Sequence, residues 1–353
     1  MAPNQVDNLS AVLYKKDDLR MEQRPIPTPG PQQLLVKIHT VGICGSDVHY
    51  LTHGAIGSFI VKAPLVLGHE TAGVVEEVGD QVKGFSVGDR VALEPGVPCR
   101  RCYHCKLGTY NLCPDMGFFA TPPFDGSLTR FVVHDADFCF KLPDHVTFEE
   151  GALLEPLSVG VHTVRRAGVK IGQKALILGS GPIGILTLLV SKAAGASAVV
   201  ITDIDDGRLA MAKELGADYT INVRGKSIQQ VKDEITACLG QPPHVSMECT
   251  GVATSVETAI LTTLSGGTIV LVGLGADRAD LPMVEAAIRE VDIRGVFRYA
   301  NCYPTAIELV ASKKVDLSKL TRAHYTLEET PEAFKRAQKA DVIKVFINCE
   351  KKD

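Results

Sequence analysis

Three residues with metal-binding side chains lie in the N-terminal part of the chain. Cys44 lies in the segment Gly-Ile-Cys-Gly-Ser-Asp, and His69 and Glu70 follow Gly68 just before a strand-like run. Taken singly, a free cysteine is usually a small buried apolar group, and a lone histidine is usually structural. Together, a thiolate, an imidazole and a carboxylate suit a catalytic zinc ion with one open position. We therefore predict a catalytic zinc site at Cys44, His69 and Glu70.

Glu155 is a charged residue within the apolar segment Leu153–Leu157, and burying a charge without a purpose is costly. Zinc with one thiolate, one neutral imidazole and one carboxylate is neutral. A further anionic ligand would make the site negative and weaken the metal as a Lewis acid. We therefore predict that Glu155 lies beside the ligands and holds a water or a substrate hydroxyl. Exchange of Glu155 onto the metal between turnovers stays open.

Four cysteines follow one another at short spacing, as Cys99-x2-Cys102-x2-Cys105-x7-Cys113. Four thiolates at this spacing match a closed tetrahedral zinc site, whose role is to fold its lobe because no position is open. A disulfide framework is the alternative. A chain of this length does not need such staples, and the clustering favours metal binding in a reducing compartment.

The segment Gly179-Ser180-Gly181-Pro182-Ile183-Gly184 has the pattern G-x-G-x-x-G between a predicted strand and a predicted helix. Such glycines allow a tight turn, a close approach of backbone to a pyrophosphate, and close packing of helix on strand. Asp203 follows at the end of the next predicted strand, where a carboxylate accepts both hydroxyls of a ribose. These residues predict a dinucleotide site.

Asp203 also indicates which dinucleotide is bound. The extra phosphate of NADP would lie near its carboxylate, and two like charges about 5 Å apart repel by roughly 3 kcal/mol at an effective dielectric near 20. Arg208 could offset this repulsion, but Asp205 and Asp206 make the same turn more acidic. We therefore expect NAD(H) as the cofactor.

The composition limits the remaining possibilities. The chain has 353 residues and a net charge of −4, with 37 basic and 41 acidic residues. A single core stops growing at roughly 250–300 residues, so two domains are expected. The charge balance gives no broad attraction for nucleic acid or anionic lipid. No clean apolar run of about 20 residues and no secretory signal are present, so we expect a cytoplasmic protein with neither a nucleic-acid nor a membrane partner.

The pattern of predicted secondary structure divides the sequence into two main parts. Up to about residue 155, short alternating runs separated by Gly, Pro and Asp predict an antiparallel barrel or sandwich. From about 156 to 296, strands alternate with helices, which predicts a parallel sheet covered by helices on both faces. After about residue 297 the pattern of predicted strands and helices is mixed again.

At this point the residues match a family. The chain resembles the zinc-dependent medium-chain dehydrogenases and, within them, the sorbitol dehydrogenases (polyol or L-iditol 2-dehydrogenases). The general motifs are the segments around Cys44, His69 and Glu155 and the metal lobe, and the resemblance covers essentially the whole chain. The segments Ala120–Pro123 (Ala-Thr-Pro-Pro) and Val296–Tyr299 (Val-Phe-Arg-Tyr) narrow it to enzymes of polyols.

The resemblance implies an α/β fold. A GroES-like barrel domain is expected over residues 1–156 with a structural zinc lobe at about 95–115, followed by a Rossmann NAD-binding domain over 157–296. Residues 297–353 are expected to return to the barrel domain. The resemblance further implies NAD-dependent oxidation of sorbitol, xylitol or similar polyols at C2 to the ketose, and a homotetramer. Mammalian sorbitol dehydrogenases lack the four-cysteine lobe, whereas this chain has it. This chain is therefore expected to bind two zinc ions per subunit, one catalytic and one structural.

Residue roles follow from the same resemblance. Ser46 and His49 are expected to carry the proton out, although a path through water and Glu155 is the alternative. The substrate is expected to contact Tyr50, Glu155, Arg298 and Tyr299. The cofactor is expected to contact Gly179, Gly181, Pro182, Ile183, Gly184, Asp203, Arg208, Val272, Gly273, Leu274, Val296, Phe297 and Arg298. A threonine dehydrogenase, which shares the zinc and dinucleotide motifs, is the competing enzyme. A quinone-reducing or non-enzymatic relative would lack the zinc ligands.

Overall fold

The computed structural model describes residues 7–276, 278–339 and 341–351. The chain forms two compact units, Met1–Glu155 with Leu320–Asp353, and Pro156–Lys319. The return to the first unit thus begins at Leu320 in this division, whereas the sequence prediction placed it at residue 297. Strands and helices are numbered in chain order below.

The first unit consists mainly of antiparallel strands. Its strands are β1 Leu9–Lys15, β2 Asp18–Gln23, β3 Gln33–Gly42, β4 Ala55–Ile56, β5 Phe59–Ile60, β6 Leu65–Val66, β7 Glu70–Val78, β8 Arg90–Leu93, β9 Gly96–Val97, β10 Gly117–Phe118, β11 Phe131–Asp135, β12 Cys139–Lys141 and, after the second unit, β19 Arg322–Thr326 and β20 Lys344–Asn348. Its helices are α1 Gly45–His53, α2 Tyr103–Lys106 and α10 Thr330–Lys339, and helix α3 Phe148–Ala167 runs on into the second unit.

One sheet brings the segments of the predicted metal site together. Its strand order is β12-β8-β7-β3-β20-β19, with β11 also paired to β3. The pairing of β3 with β7 carries two irregularities, and a Cβ added at Gly73 would lie 2.3 Å from the Lys37 carbonyl oxygen. Only glycine allows this approach of the two backbones. The register places Gly42, at the end of β3, opposite both Glu70 on β7 and Phe346 on β20.

The second unit is a parallel sheet with helices. Its strands are β13 Lys174–Leu178, β14 Ala198–Asp203, β15 Tyr219–Asn222, β16 Val245–Glu248, β17 Thr268–Leu271 and β18 Asp292–Gly295, and its helices after α3 are α4 Pro182–Ala193, α5 Asp206–Glu214, α6 Ile228–Leu239, α7 Ala253–Thr262, α8 Met283–Ala287 and α9 Tyr303–Ala311. The strand order is β15-β14-β13-β16-β17-β18. This is the doubly wound order of dinucleotide-binding folds, in which ligands bind at the carboxyl ends of the central strands. Within the described residues, no helix is both long and apolar enough to cross a membrane.

Candidate active site and cofactor site

The three predicted catalytic zinc ligands lie together in the first unit. The ligand atoms of Cys44, His69 and Glu70 are all within 4.8 Å of one another. Cys44 precedes α1, and Glu70 begins β7. A Cβ added at Gly42 would lie 2.3 Å from Oε2 of Glu70, so the glycine leaves room for this carboxylate. The donor set and its spacing fit a zinc ion bound by sulfur, nitrogen and oxygen.

Asp47 holds the two ligand-bearing segments in place. It is fully buried, and its carboxylate accepts hydrogen bonds from the backbone N–H groups of Cys44 and Gly68, each at 3.0 Å. Its Oδ1 is also 3.4 Å from Nδ1 of His69. This arrangement leaves Nε2 of His69 for the metal, the common pattern for a ligating histidine. Burial alone would raise the pKa of Asp47, but His69 and the N–H donors hold that pKa below its usual value.

The electrostatics at His69 favour a cation. Burial lowers the pKa of His69, yet the neighbouring Asp47 and Cys44 raise it well above its ordinary value. The same negative groups that stabilise a proton on the imidazole would stabilise a divalent metal there. This agrees with the choice of sulfur, nitrogen and oxygen donors, and the site fits zinc on both grounds.

Lys344 is a functional neighbour that the sequence reasoning missed. Its ammonium lies 2.7 and 2.6 Å from the two carboxylate oxygens of Glu70, and 3.3 Å from the carbonyl oxygen of Ile43. The lysine is only 4% exposed. Burial lowers its pKa, but Glu70, Cys44 and Glu155 raise it, and the net pKa is above the ordinary value. The ammonium thus offsets the charge of Glu70, while Asp47 beside His69 and the nearby Glu155 add negative charge around the ligands.

The signal for Lys344 was present but weak. It is a lysine within the apolar run Ile343–Ile347 near the C-terminus, a place where a strand would normally carry an apolar side chain. A charge at such a position suggests a buried partner. The partner lies far away in sequence, in β7, and only the sheet register reveals it.

The other predicted catalytic and substrate-binding residues of this unit lie in two helices, α1 and α3. Ser46 is half-buried in the first turn of α1, and Tyr50 is 3% exposed. His49 is exposed, and its ring stacks on His53 with centroids 4.2 Å apart. Glu155 lies in α3 and is buried. Its charge raises the pKa of Lys344, so it belongs to the electrostatic surroundings of the metal site.

Phe118 was also missed. It lies in β10, and its ring centroid is 5.9 Å from that of His69 at an interplanar angle of 52°. The Phe118 ring therefore helps to bury the imidazole of His69. A lone phenylalanine after a cysteine-rich segment carries no sequence signal for this placement.

The four cysteines form the second metal-binding group. Their sulfur atoms lie within 4.8 Å of one another, and all four are free thiols. The separation between Sγ of Cys102 and Sγ of Cys105 is 3.5 Å, far beyond a disulfide bond of about 2.05 Å. Backbone N–H groups of Arg101 and Cys102 lower the pKa of Cys99 to about 7, which favours its thiolate. Burial and hydrogen bonds with the other thiols raise the pKa of Cys105 to about 12 in the absence of a cation. This donor set fits a structural zinc ion.

Arg100, between the first two cysteines, points away from the sulfur atoms. Its guanidinium donates to Asp137 at 3.0 and 2.8 Å and to Asp135 at 2.6 Å. It adopts a positive φ of 62°, which is uncommon for a residue other than glycine. Arg100 therefore ties the cysteine lobe to the end of β11 and the turn that follows it.

The dinucleotide fingerprint forms the turn between β13 and α4. Gly179 has a φ of +97°, and a Cβ added at Gly184 would lie 1.8 Å from the Gly179 carbonyl oxygen. Gly181 immediately precedes α4, and Pro182 begins it. The first turn of a helix has unpaired backbone N–H groups, which can bind a phosphate. Ile183, in the same turn, is half-buried.

Asp203 ends β14 beside this turn. Its Oδ2 accepts from the backbone N–H of Ser180 at 2.7 Å, and its Oδ1 accepts from those of Ile204 and Asp205 at 2.8 and 3.0 Å. The carboxylate is thereby fixed beside the fingerprint turn. Arg208 is in the first turn of α5, which Asp205 caps.

The remaining predicted cofactor and substrate residues of the second unit follow β17 and β18. Val272, Gly273 and Leu274 form the loop after β17, and Leu274 is 76% exposed. Val296 and Phe297 follow β18. Arg298 has a φ of 52°, and its guanidinium carbon lies 4.8 Å from the Phe297 ring centroid. Tyr299 is buried and packs against Tyr303.

A barrel-like unit with a Cys-His-Glu zinc site and a dinucleotide-binding unit define a class of metal-dependent dehydrogenase, and comparisons with known proteins identify the family. The model of the alcohol dehydrogenase GroES-like domain matches residues 30–144, and that of the zinc-binding dehydrogenase matches residues 182–312. The chain is 54% identical over 352 residues to sorbitol dehydrogenase of Mus musculus, covering 100% of this chain and 99% of that protein. It is 52% identical over 347 residues to the Homo sapiens sorbitol dehydrogenase, covering 98% and 97%.

Two solved structures have the same fold. L-idonate 5-dehydrogenase from Escherichia coli superposes with a TM-score of 0.90 at 32% identity, covering 98% of this chain and 99% of that one. 2R,3R-butanediol dehydrogenase from Bacillus subtilis superposes with a TM-score of 0.88 at 30% identity, covering 97% and 100%. The chain belongs to the zinc-containing medium-chain dehydrogenases. The predicted fold class, a GroES-like domain with a Rossmann domain, is confirmed.

Proposed function

We propose that this chain oxidises sugar alcohols such as sorbitol or xylitol at C2 to the ketose, with NAD⁺ as the hydride acceptor, and catalyses the reverse reduction. The observation that carries the proposal is the clustering of Cys44, His69 and Glu70 within 4.8 Å. Full-length identity to sorbitol dehydrogenases supports the substrate class.

The roles of the residues in the first unit follow from their chemistry. A zinc ion held by Cys44, His69 and Glu70 supplies Lewis-acid polarisation of a substrate hydroxyl and lowers its pKa towards neutrality. The Ser46 hydroxyl accepts the proton of the substrate hydroxyl as it passes its own proton on, and the exposed His49 delivers a proton to solvent. Glu155 orients a water or a substrate hydroxyl, and a path through that water is the alternative route for the proton.

The positive charge of Lys344 contributes to this mechanism. Because Lys344 neutralises Glu70, the carboxylate donates less electron density to a bound metal than a free carboxylate would. The positive charge of the ammonium also helps to stabilise the negative charge that develops on the substrate oxygen. In the second unit, Arg298 offers several fixed donors for a substrate rich in hydroxyls, together with Tyr299. In the first unit, Tyr50 serves the same purpose.

The cofactor assignment has a separate physical basis. Asp203 accepts hydrogen bonds from three backbone N–H groups, which fix the orientation of its side chain. A carboxylate in this place suits ribose hydroxyls and repels a 2′-phosphate. The assembly as a homotetramer and a cytoplasmic location are part of the proposal. The resemblance to the polyol dehydrogenases supports the tetramer, and the free, clustered cysteines support a reducing compartment. Size-exclusion chromatography with light scattering measures the assembly.

A substrate panel tests the function. Purified enzyme is mixed with NAD⁺ and, in separate reactions, sorbitol, xylitol and L-threonine, and NADH absorbance is followed. The proposal predicts NADH formation with the two polyols and little with L-threonine. Turnover of L-threonine alone would instead assign the chain to the threonine dehydrogenases. Equal rates with NADP⁺ would contradict the role given to Asp203.

A further inference from the structure

Glu248 is a buried carboxylate at the carboxyl end of β16, in the middle of the parallel sheet. It is 0% exposed. Its side chain accepts hydrogen bonds from the backbone N–H of Thr250 at 2.8 Å, from the Thr250 hydroxyl, and from the backbone N–H of Gly251 at 2.9 Å. A carboxyl group that accepts hydrogen bonds from several N–H and O–H donors is held firmly in one orientation. Glu248 therefore fixes the loop that follows its own strand.

The backbone of the same residue fixes a second loop. The Glu248 carbonyl oxygen accepts from the N–H groups of Val272 and Gly273, at 2.8 and 2.9 Å. These two residues begin the loop after β17. One buried residue thus anchors the loops after two adjacent strands, through its side chain on one side and its backbone on the other.

The two loops also touch each other through bare glycine backbone. A Cβ added at Gly273 would lie 2.1 Å from the Gly251 nitrogen, and one added at Gly275 would lie 1.7 Å from the Gly251 oxygen. Thr250 in turn approaches the dinucleotide fingerprint, because a Cβ added at Gly179 would lie 2.7 Å from its methyl carbon. A shift of the loop at residues 249–252 displaces the loop at residues 272–275 first, because that contact is between two backbones, whereas only a side-chain methyl group lies beside Gly179.

We propose that Glu248 is a positioning residue for the nicotinamide half of the cofactor, acting by fixing the loops at residues 249–252 and 272–275. The inference rests on the proposed function, in which Val272, Gly273 and Leu274 contact the cofactor. Asp203 and the fingerprint turn hold the adenosine and pyrophosphate half through separate contacts. Loss of the Glu248 carboxylate therefore weakens binding of the nicotinamide half selectively.

The variant Glu248→Gln tests the positioning role of the carboxylate. The amide keeps the size of the side chain but replaces one acceptor oxygen by an NH₂ group, which faces the N–H donors of the loop. The dissociation constants of NADH and of ADP-ribose, which lacks the nicotinamide ring, are measured by calorimetry on the zinc-loaded enzyme. We expect NADH to bind at least tenfold more weakly than to the wild type, with ADP-ribose changed less than threefold. Thr250→Val removes one donor to Glu248 and retains a branched side chain beside Gly179, and it should give a smaller shift in the same direction.

Ser246→Ala is the matched control. Ser246 is buried on the same strand, and its hydroxyl lies 2.7 Å from that of Thr263, away from both loops. This variant should lose stability but bind NADH as the wild type does.

Equal weakening of NADH binding and of ADP-ribose binding in Glu248→Gln would show a merely structural role, and unchanged NADH binding would also overturn the inference. If Glu248→Gln does not fold, Thr250→Val decides by the same two constants. Failure of the wild type to bind NADH would refute the proposed function instead.

Discussion

Replacement of Lys344 by methionine separates the charge of the lysine from its bulk. The Lys344 ammonium is 2.6–2.7 Å from both oxygens of Glu70, and both side chains are almost completely buried, at 3% and 1% exposure. At these distances two unit charges attract by about 6 kcal/mol at an effective dielectric of 20. Desolvation offsets part of this, and removing one partner of a buried pair typically costs about 3–5 kcal/mol. We expect the metal-free Lys344→Met protein to lose that much unfolding free energy.

The zinc-loaded protein should respond differently. A divalent metal beside Glu70 compensates the carboxylate that the methionine leaves unpaired, and it no longer faces the repulsion of the ammonium. The loss of stability in the loaded protein should therefore be smaller by at least about 1.4 kcal/mol, which corresponds to a tenfold tighter binding of zinc in the variant. Because the variant loses one positive charge beside the metal position, kcat should fall at the same time.

The assay combines urea unfolding, with and without bound metal, and competition with a chelator for the zinc of the Cys44 site. Lys141→Met is the control, since the Lys141–Asp89 ion pair is in the same unit but its lysine is 51% exposed, and such surface pairs contribute about 0–1 kcal/mol. An equal loss of stability in the metal-free and loaded proteins would refute the reasoning. So would weaker zinc binding in Lys344→Met than in the wild type.

Three further predictions concern the metal and cofactor sites. Asp47→Asn should lower zinc affinity at the catalytic site about 10–100-fold, because the support of the ligating His69 is weakened, and metal analysis after dialysis against a mild chelator should then find one zinc per chain rather than two. Cys102→Ser should release the other zinc and lower the urea midpoint while the Cys44 site stays loaded; loss of both metals would contradict the independence of the two sites. Asp203→Ser should remove about 3 kcal/mol of repulsion and tighten NADPH binding more than a hundredfold, measured by calorimetry, and unchanged NADPH affinity would show that Asp203 does not select the cofactor.

The parts of the fold and site that the sequence could predict are those with local signals. The fingerprint turn and Asp203 are about twenty residues apart within one β-α-β unit, and the four cysteines lie within a single short segment. In each case spacing along the chain is close to spacing in space. The strand containing Asp203 ends at that residue in the structure, as the sequence pattern predicted.

The parts that could not be predicted depend on long-range packing. Lys344 reaches Glu70 only because β20 pairs with β3, and β3 with β7, in one sheet. Glu248 resembles any charged residue at the end of a strand until the loop after it is seen folding back onto the carboxylate. Asp47 ends the segment Gly-Ile-Cys-Gly-Ser-Asp around Cys44, yet its contact with His69 depends on how α1 meets the start of β7. Buried polar partners of this kind leave only a charge in an apolar run as their sequence signal.

The central claim is that Cys44, His69 and Glu70 hold a zinc ion that drives polyol oxidation. The most direct measurement is a crystal structure of active enzyme with anomalous diffraction recorded at the zinc edge. We predict two peaks per chain, one among the four cysteines and one about 2.3 Å from Sγ of Cys44 and about 2.1 Å from a ring nitrogen of His69. Absence of a metal at Cys44 and His69 in crystals of a preparation that oxidises polyols would contradict the account.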